Sequence, residues 1–204
     1  MARISHIQTD FLSGELSQLL RGRVDTERYA NALAQCENFI IKPHGGVERR
    51  GGTHFVAEVK TSANVTRLIR FEFNRDQSYI LELGNQYMRF FTQNGQVTSS
   101  GSPYEIATPW TSAQLDEIQV AQSADTMYLV HPDVSPRKLV RTNNTSWALT
   151  EPTFTAPKWN ATDKYPRAIT FHQQRLWFGG TTAKPQSIFG SKTDDFENFT
   201  VGTN

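Results

Sequence analysis

His44 and His54 bracket Glu48 and the pair Arg49 and Arg50. Imidazole beside a carboxylate is the usual material of a general base or a metal ligand. The spacing here is not that of H-E-x-x-H, and two guanidinium groups alongside would repel a cation, so no metal site is expected. His6, His131 and His172 are scattered and read as structural or exposed. Nucleophilic chemistry has no better footing: the chain has no G-x-S-x-G, and its single cysteine, Cys36, has no histidine in a suggestive context. Ser13-Gly14-Glu15 falls in an arm that offers no rigid support for a catalytic group.

Paired carboxylates are the remaining catalytic candidate. Asp194, Asp195 and Glu197 cluster in SKTDDFENF, and two carboxylates could cleave a glycosidic bond. The stretch faintly resembles the Asp-box turn of sialidase propellers, but the glycine and tryptophan of that box are missing. It reads as an acidic turn anchored by Phe196 and Phe199. The expectation is therefore no catalytic residue, no metal and no cofactor. Arg21, Arg23, Arg28, Arg49 and Arg50 make the first quarter locally basic, yet Glu15, Asp25, Glu27, Glu37 and Glu48 nearly balance them. Ion pairs between subunits fit this mixture better than contacts to phosphate.

The elements that must position these residues begin with an arm over residues 12–23, where Gly14 and Gly22 disfavour regular structure. Residues 25–38 follow as one amphipathic helix, with Asp25 as N-cap and Tyr29, Ala32, Leu33, Cys36 and Ile40 along one face. Residues 42–52 form a turn. Arm, helix and turn make residues 1–52 a docking region, with Ser13, Gly14, Glu15, Leu16, Arg23, Asp25, Tyr29 and Asn38 as contacts. Gly45, Gly46, Arg49 and Arg50 set its angle.

Residues 53–110 read as an antiparallel meander. Strands are expected over 53–60 (Phe55, Ala57 and Val59 on one face), 67–73, 78–83 and 86–92. Gly84-Asn85 and Asn94-Gly95 are hairpin signals, and 99–109 reads as a loop. Residues 111–204 open with a short helix, since Thr111 stands three before Gln114 in a capping-box pattern. Strands are then expected over 127–131, 138–141, 147–149, 168–171, 175–178 and 187–191.

An internal repeat runs through this second half. An offset of 49 residues pairs Tyr128 with Trp177, Leu129 with Phe178, Pro136 with Pro185, Leu139 with Ile188, Val140 with Phe189 and Trp147 with Phe196. One step back reaches Tyr79, Phe90 and Phe91. A period near 50 built of short strands is the length of a propeller blade. Two or three such units do not close a propeller, so the chain is expected to belong to a longer polypeptide or to complete its sheets with other subunits.

Composition sets the outer bounds. The chain has 204 residues, a net charge of +1 and 11 % aromatic residues. Near-neutrality gives no argument for a nucleic-acid binder and fits a conduit as well as a plain globule, and the aromatics favour β structure. Residues 1–10 lack the apolar core of a secretory signal, and no stretch is long and apolar enough to span a bilayer. The Asn64 and Asn198 tripeptides are accordingly not expected to carry glycans.

The order of SGELSQLLRGRVDTERY, ENF and GGVERRGGTHF resembles the N-terminal signature of the tail nozzle proteins of short-tailed bacteriophages, also called tail tubular protein B. Ser13, Gly14, Glu15, Leu16, Arg23, Asp25, Asn38, Gly45, Gly46, Arg49, Arg50 and Gly51 carry the likeness. Gly51 departs from it, standing where many relatives have proline. The likeness is strong over the first quarter and loose beyond. It implies a virion structural protein, made in the host cytoplasm, with a propeller-like β core and no enzymatic activity. It further implies a homo-oligomeric ring, six-fold, that joins the portal-adaptor ring and other tail proteins. DNA would pass through without specific binding. A receptor- or glycan-binding tail module using Trp159 or Trp177 is the alternative, and a propeller glycosidase using Asp194 a third reading.

Overall fold

The computed structural model describes residues 7–74 and 76–200, and the chain divides into two compact units, Met1–Phe55 and Val56–Asn204. The protein is mainly β, with antiparallel sheets throughout the second unit.

In the first unit, β1 (Gly14–Glu15) pairs in parallel with β2 (Ala32–Leu33), and β3 (Phe39–Ile41) pairs antiparallel with β4 (Val47–Arg49). The expected helix over 25–38 is not formed. Only one turn, α1 (Glu27–Ala30), is helical, and Thr26 rather than Asp25 is its N-cap. A short helix needs a packed face to survive, and this one has none. The chain instead leaves the helix at Asn31, whose carbonyl accepts from the Ser13 N–H, and Leu33 accepts from Leu16. Pairing with the arm has replaced helical hydrogen bonds. Gly14 thus sits in a strand rather than an irregular arm, with a φ of 69° that suits glycine.

The second unit opens with residues 56–66, which are not a strand. Val56, Ala57 and Val59 instead flank a groove on the outer face of the first sheet. That sheet runs β11–β7–β6–β5, from β5 (Arg67–Glu72), β6 (Ser78–Gly84), β7 (Tyr87–Thr92) and β11 (Glu105–Ala107). β8 (Gly95–Gln96) pairs antiparallel with the end of β7, while β9 (Thr98–Ser99) and β10 (Ser102–Pro103) form a small ribbon. The free edge of β5 is partly taken. The Gln122 amide accepts from Glu72 N at 3.1 Å and donates to Glu72 O at 2.8 Å, a side chain standing in for a strand.

Both hairpin turns lie one residue from their expected places. Asn85–Gln86 links β6 to β7, with Gln86 at φ 63°, and Gln93–Asn94 links β7 to β8, with φ 49° and 60°. The expected loop over 99–109 contains β11, which pairs with β7. It is too short to show alternation in sequence.

A 3-10 helix, Ser112–Glu117, follows, and Gln114 Oε1 accepts from the Thr111 N–H at 3.0 Å as the capping pattern requires. Arg67 holds its far end: one guanidinium nitrogen donates to the carbonyls of Leu115 (2.7 Å) and Ile118 (2.6 Å) and, more weakly, of Asp116 (3.2 Å). The second sheet is β12 (Gln119–Ser123), β13 (Thr126–His131), β14 (Val134–Asn143) and β15 (Ser146–Thr150), in that order. The third is β16 (Ala168–His172), β17 (Arg175–Gly179) and β18 (Ile188–Gly190).

The 49-residue repeat is real for one hairpin and shifted for the next strand. Gln119 faces Val130 as Ala168 faces Gly179, and the match continues to Ser123–Thr126 and His172–Arg175. β14 and β18 do not keep that offset, because Leu129 pairs with Arg137 but Phe178 with Phe189. The tight turn after β13 is replaced after β17 by residues 180–187. Pro136 therefore lies buried in a strand while Pro185 lies exposed in a loop. The two prolines are not structural equivalents.

The three sheets stack face on face. Ile69, Phe71, Tyr79, Leu81, Met127, Leu129 and Trp147 belong to the core between the first and second sheets. Tyr128, Val130, Leu176, Phe178 and Phe199 belong to the core between the second and third. Met127 and Leu129 point one way from β13, Tyr128 and Val130 the other. A strand buried on both faces reads as a continuous apolar run, MYLV, rather than an alternation. The stack forms no closed barrel.

Candidate functional site

The first unit combines well-defined polar bonds with exposed apolar side chains. Among its described residues only Gly45 is buried. Its φ of 93° and the Asp10 side chain, 2.6 Å from where a Cβ would stand, exclude any other residue without a shift. Order comes from hydrogen bonds instead of a core. Glu15 accepts from the Cys36 N–H at 2.8 Å, and Arg21 donates to Ala34 O at 2.9 Å. Arg23 and Asp25 form a bidentate pair, both bonds 2.8 Å. Asn38, at φ 62°, accepts from Arg50 Nε at 2.6 Å, and Lys42 pairs with Glu48.

Those bonds leave the apolar residues uncovered. Leu19 is 92 % exposed, Leu12, Val24, Phe39 and Ile40 are more than half exposed, and Tyr29 is partly so. Leu16, Arg21, Val24, Tyr29 and Leu33 line one groove. Ile41 reaches Gly14, which leaves room for it. An isolated two-stranded hairpin such as β3–β4 is marginal alone in water. The sequence-derived docking residues therefore gather in one unit, though on paired loops and not on a helix. Arg23 and Asp25 satisfy each other, as do Asn38 and Arg50. That leaves Leu16, Tyr29 and Arg49 as side chains free to meet a partner. The pairing of Arg23 with Asp25, foreseen between subunits, occurs within the chain.

The other sequence candidates are structural. Cys36 is half-buried on a loop. His44 and His54 are exposed, and among the described residues no three His, Cys, Asp or Glu side chains converge on a common point. Glu197 accepts from Tyr128 Oη at 2.9 Å and from Lys138 Nζ at 2.6 Å, so it bolts the last segment to the second sheet. Asp194 is in a turn at φ 59°. Phe196 packs on Phe171 at 5.0 Å between ring centroids, and Phe199 on Trp159, also at 5.0 Å. Trp159 is buried and cannot stack on a sugar. Trp177 is half-buried, lies across Gly190 and donates to His172 O.

Among the described residues Glu82 and His131 are buried ionisable groups, and the sequence reading singled out neither burial. His131 Nδ1 accepts from the Asp133 N–H at 3.0 Å, so Nε2 carries the proton, and the Glu117 carboxylate is 3.7 Å away. Burial holds the imidazole below its ordinary 6.5, outweighing the upward pull of Glu117 and Asp133. The unfolded chain then binds the proton more readily, so stability is complete above pH 6.5 and falls as pH drops below it. Urea midpoints measured from pH 7.5 downward should decline below pH 6.5, before the carboxylates titrate. His131→Asn, which keeps an acceptor at the Nδ1 position, should flatten that decline.

No protein-family model matches the chain, and no curated protein matches it. No described helix is long and apolar enough to cross a membrane.

Proposed function

We propose that this chain is a structural subunit of a short-tailed phage tail, of the nozzle class, working as a non-enzymatic ring around the DNA-ejection channel. One observation carries the reading. The first unit fixes its backbone with polar bonds yet leaves Leu19, Val24, Phe39 and Ile40 to solvent, as a surface does when another subunit completes it. Such patches mark protein–protein contacts. The order of sequence motifs supports the same class, and the six-fold symmetry rests on that resemblance alone. The near-neutral charge of +1 suits a wall past which DNA slides without being held.

Mass photometry of the purified chain tests this. A ring-sized species is expected, with a central hole in negative stain, and deletion of residues 1–23 should return the chain to single-subunit mass. A full-length chain that stays at single-subunit mass from nanomolar to high micromolar concentration overturns the reading.

A further inference from the structure

Three aromatic residues occupy the same place in three successive sheets. Tyr79 of β6, Tyr128 of β13 and Trp177 of β17 are spaced by 49 residues. Tyr79 faces the second sheet: it is fully buried, its ring lies 5.2 Å from that of Trp147 in β15, and its hydroxyl bonds to Asn144 in the β14–β15 turn. Tyr128 faces the third sheet: it too is buried, with its ring 6.1 Å from Phe171 in β16 and its hydroxyl on Glu197. Each is covered by the sheet that follows. Trp177 points away from the second sheet, opposite Leu176 and Phe178. Among the described residues no sheet lies on it, and neighbouring Ile188 is 72 % exposed.

A second series runs the other way. Ile80, Leu129 and Phe178 are again spaced by 49 residues. Leu129 is buried against the first sheet and Phe178 against the second, each covered by the sheet that precedes it. Among the described residues of the second unit no sheet precedes that of Ile80, which is 39 % exposed beside Leu68 at 65 %. Among the described residues of the second unit, both end faces of the stack are thus without a partner sheet. The two faces are complementary in kind: within the chain, one is the face on which a following sheet packs and the other the face on which a preceding sheet packs.

We propose that the face around Trp177 and Ile188 receives the face around Leu68 and Ile80 of a second copy of this chain, continuing across subunits the joint that the chain makes twice within itself. The inference rests on the ring reading and adds a second contact to the one proposed for the first unit. A joint between unlike faces is heterologous, so repetition produces a closed ring or an open filament and not a two-fold dimer. Val56, Ala57 and Val59 flank the groove on the Leu68 and Ile80 face and would frame the contact where the two faces meet.

Leu68→Glu and Ile188→Glu each place a carboxylate on one of the two faces. Both positions are exposed, so each variant should keep the circular dichroism spectrum and melting temperature of the wild type. By mass photometry and light scattering on the full chain, each variant alone should fall from ring mass to single-subunit mass. Mixed in equal amounts they should form a dimer and nothing larger, because Leu68→Glu retains an intact third-sheet face and Ile188→Glu an intact first-sheet face. A wild-type ring that both variants preserve overturns this contact while leaving the ring reading in place. Variants that dissociate but do not recombine on mixing also overturn it. A wild-type chain that never leaves single-subunit mass overturns both.

Discussion

Trp147→Ala should lower the unfolding free energy by about 3–5 kcal/mol, the range for emptying a buried aromatic site. Trp147 comes from β15 of the second sheet and enters the core against the first. Its ring stacks on Phe90 at 4.4 Å and meets Phe71 edge-on at 4.9 Å and Tyr79 at 5.2 Å. Its indole N–H donates to Asn144 O at 3.1 Å, and its backbone N–H donates to Tyr104 Oη at 3.1 Å. Removing the ring leaves three aromatic faces without a neighbour, and the sheets cannot collapse into the gap without breaking their own ladders. A small domain has only about 5–15 kcal/mol in total, so the variant should unfold at much lower urea. Trp147→Phe keeps part of the ring contact and should lose clearly less. Equal losses for the two variants would show that the indole volume is not what joins the sheets.

The contrast between the two units explains what was legible in the sequence. The strands of the second unit carry their own signal, since burial imposes either alternation, as in RLIRFE of β5, or an unbroken apolar run, as in MYLV of β13. The 49-residue spacing was visible because packing between sheets demands bulky residues at fixed places. It failed for Pro185 because a loop can lengthen without disturbing the hairpin before it. In the first unit, the spacing of Tyr29, Ala32, Leu33 and Cys36 matched a helix, yet periodicity predicts a helix only where a surface exists to bury its stripe. Among the described residues of the unit none of that stripe is fully buried, and the backbone bonds of Ser13 and Leu16 to Asn31 and Leu33 took precedence. The polar substitutes were invisible for a different reason. Gln122 on Glu72 and Arg67 on three carbonyls, like Glu82 under Tyr87, are single side chains whose role depends on residues distant in sequence or on a cross-strand register.

Gly84→Ala is expected to cost about 3 kcal/mol or more, although it adds one methyl group. Gly84 faces Tyr87 across the β6–β7 turn. An added Cβ would stand 2.1–2.4 Å from Cε1, Cζ and Oη of that phenol, so the ring must leave. Its departure breaks the bond from Tyr87 Oη to Glu82 Oε1, 2.7 Å long, to a carboxylate that is only 1 % exposed. Burial, and then the adjacent Glu82, push the Tyr87 hydroxyl up to about 12, so it remains a donor throughout the neutral range. Lys60 and Arg89 also lie over this ring, 5.1 and 5.4 Å from its centroid, and both pair with Glu105. Overpacking costs about 1–3 kcal/mol, and losing a hydrogen bond to a charged group about 1.5–3 kcal/mol more. A double-mutant cycle separates the cause from a general intolerance of β6. On a Tyr87→Ala background the ring is already gone, so Gly84→Ala should cost little in urea denaturation. The same cost in both backgrounds would mean that Tyr87 is not what requires glycine at this position, and the hold of the ring on Glu82 would have to be sought elsewhere.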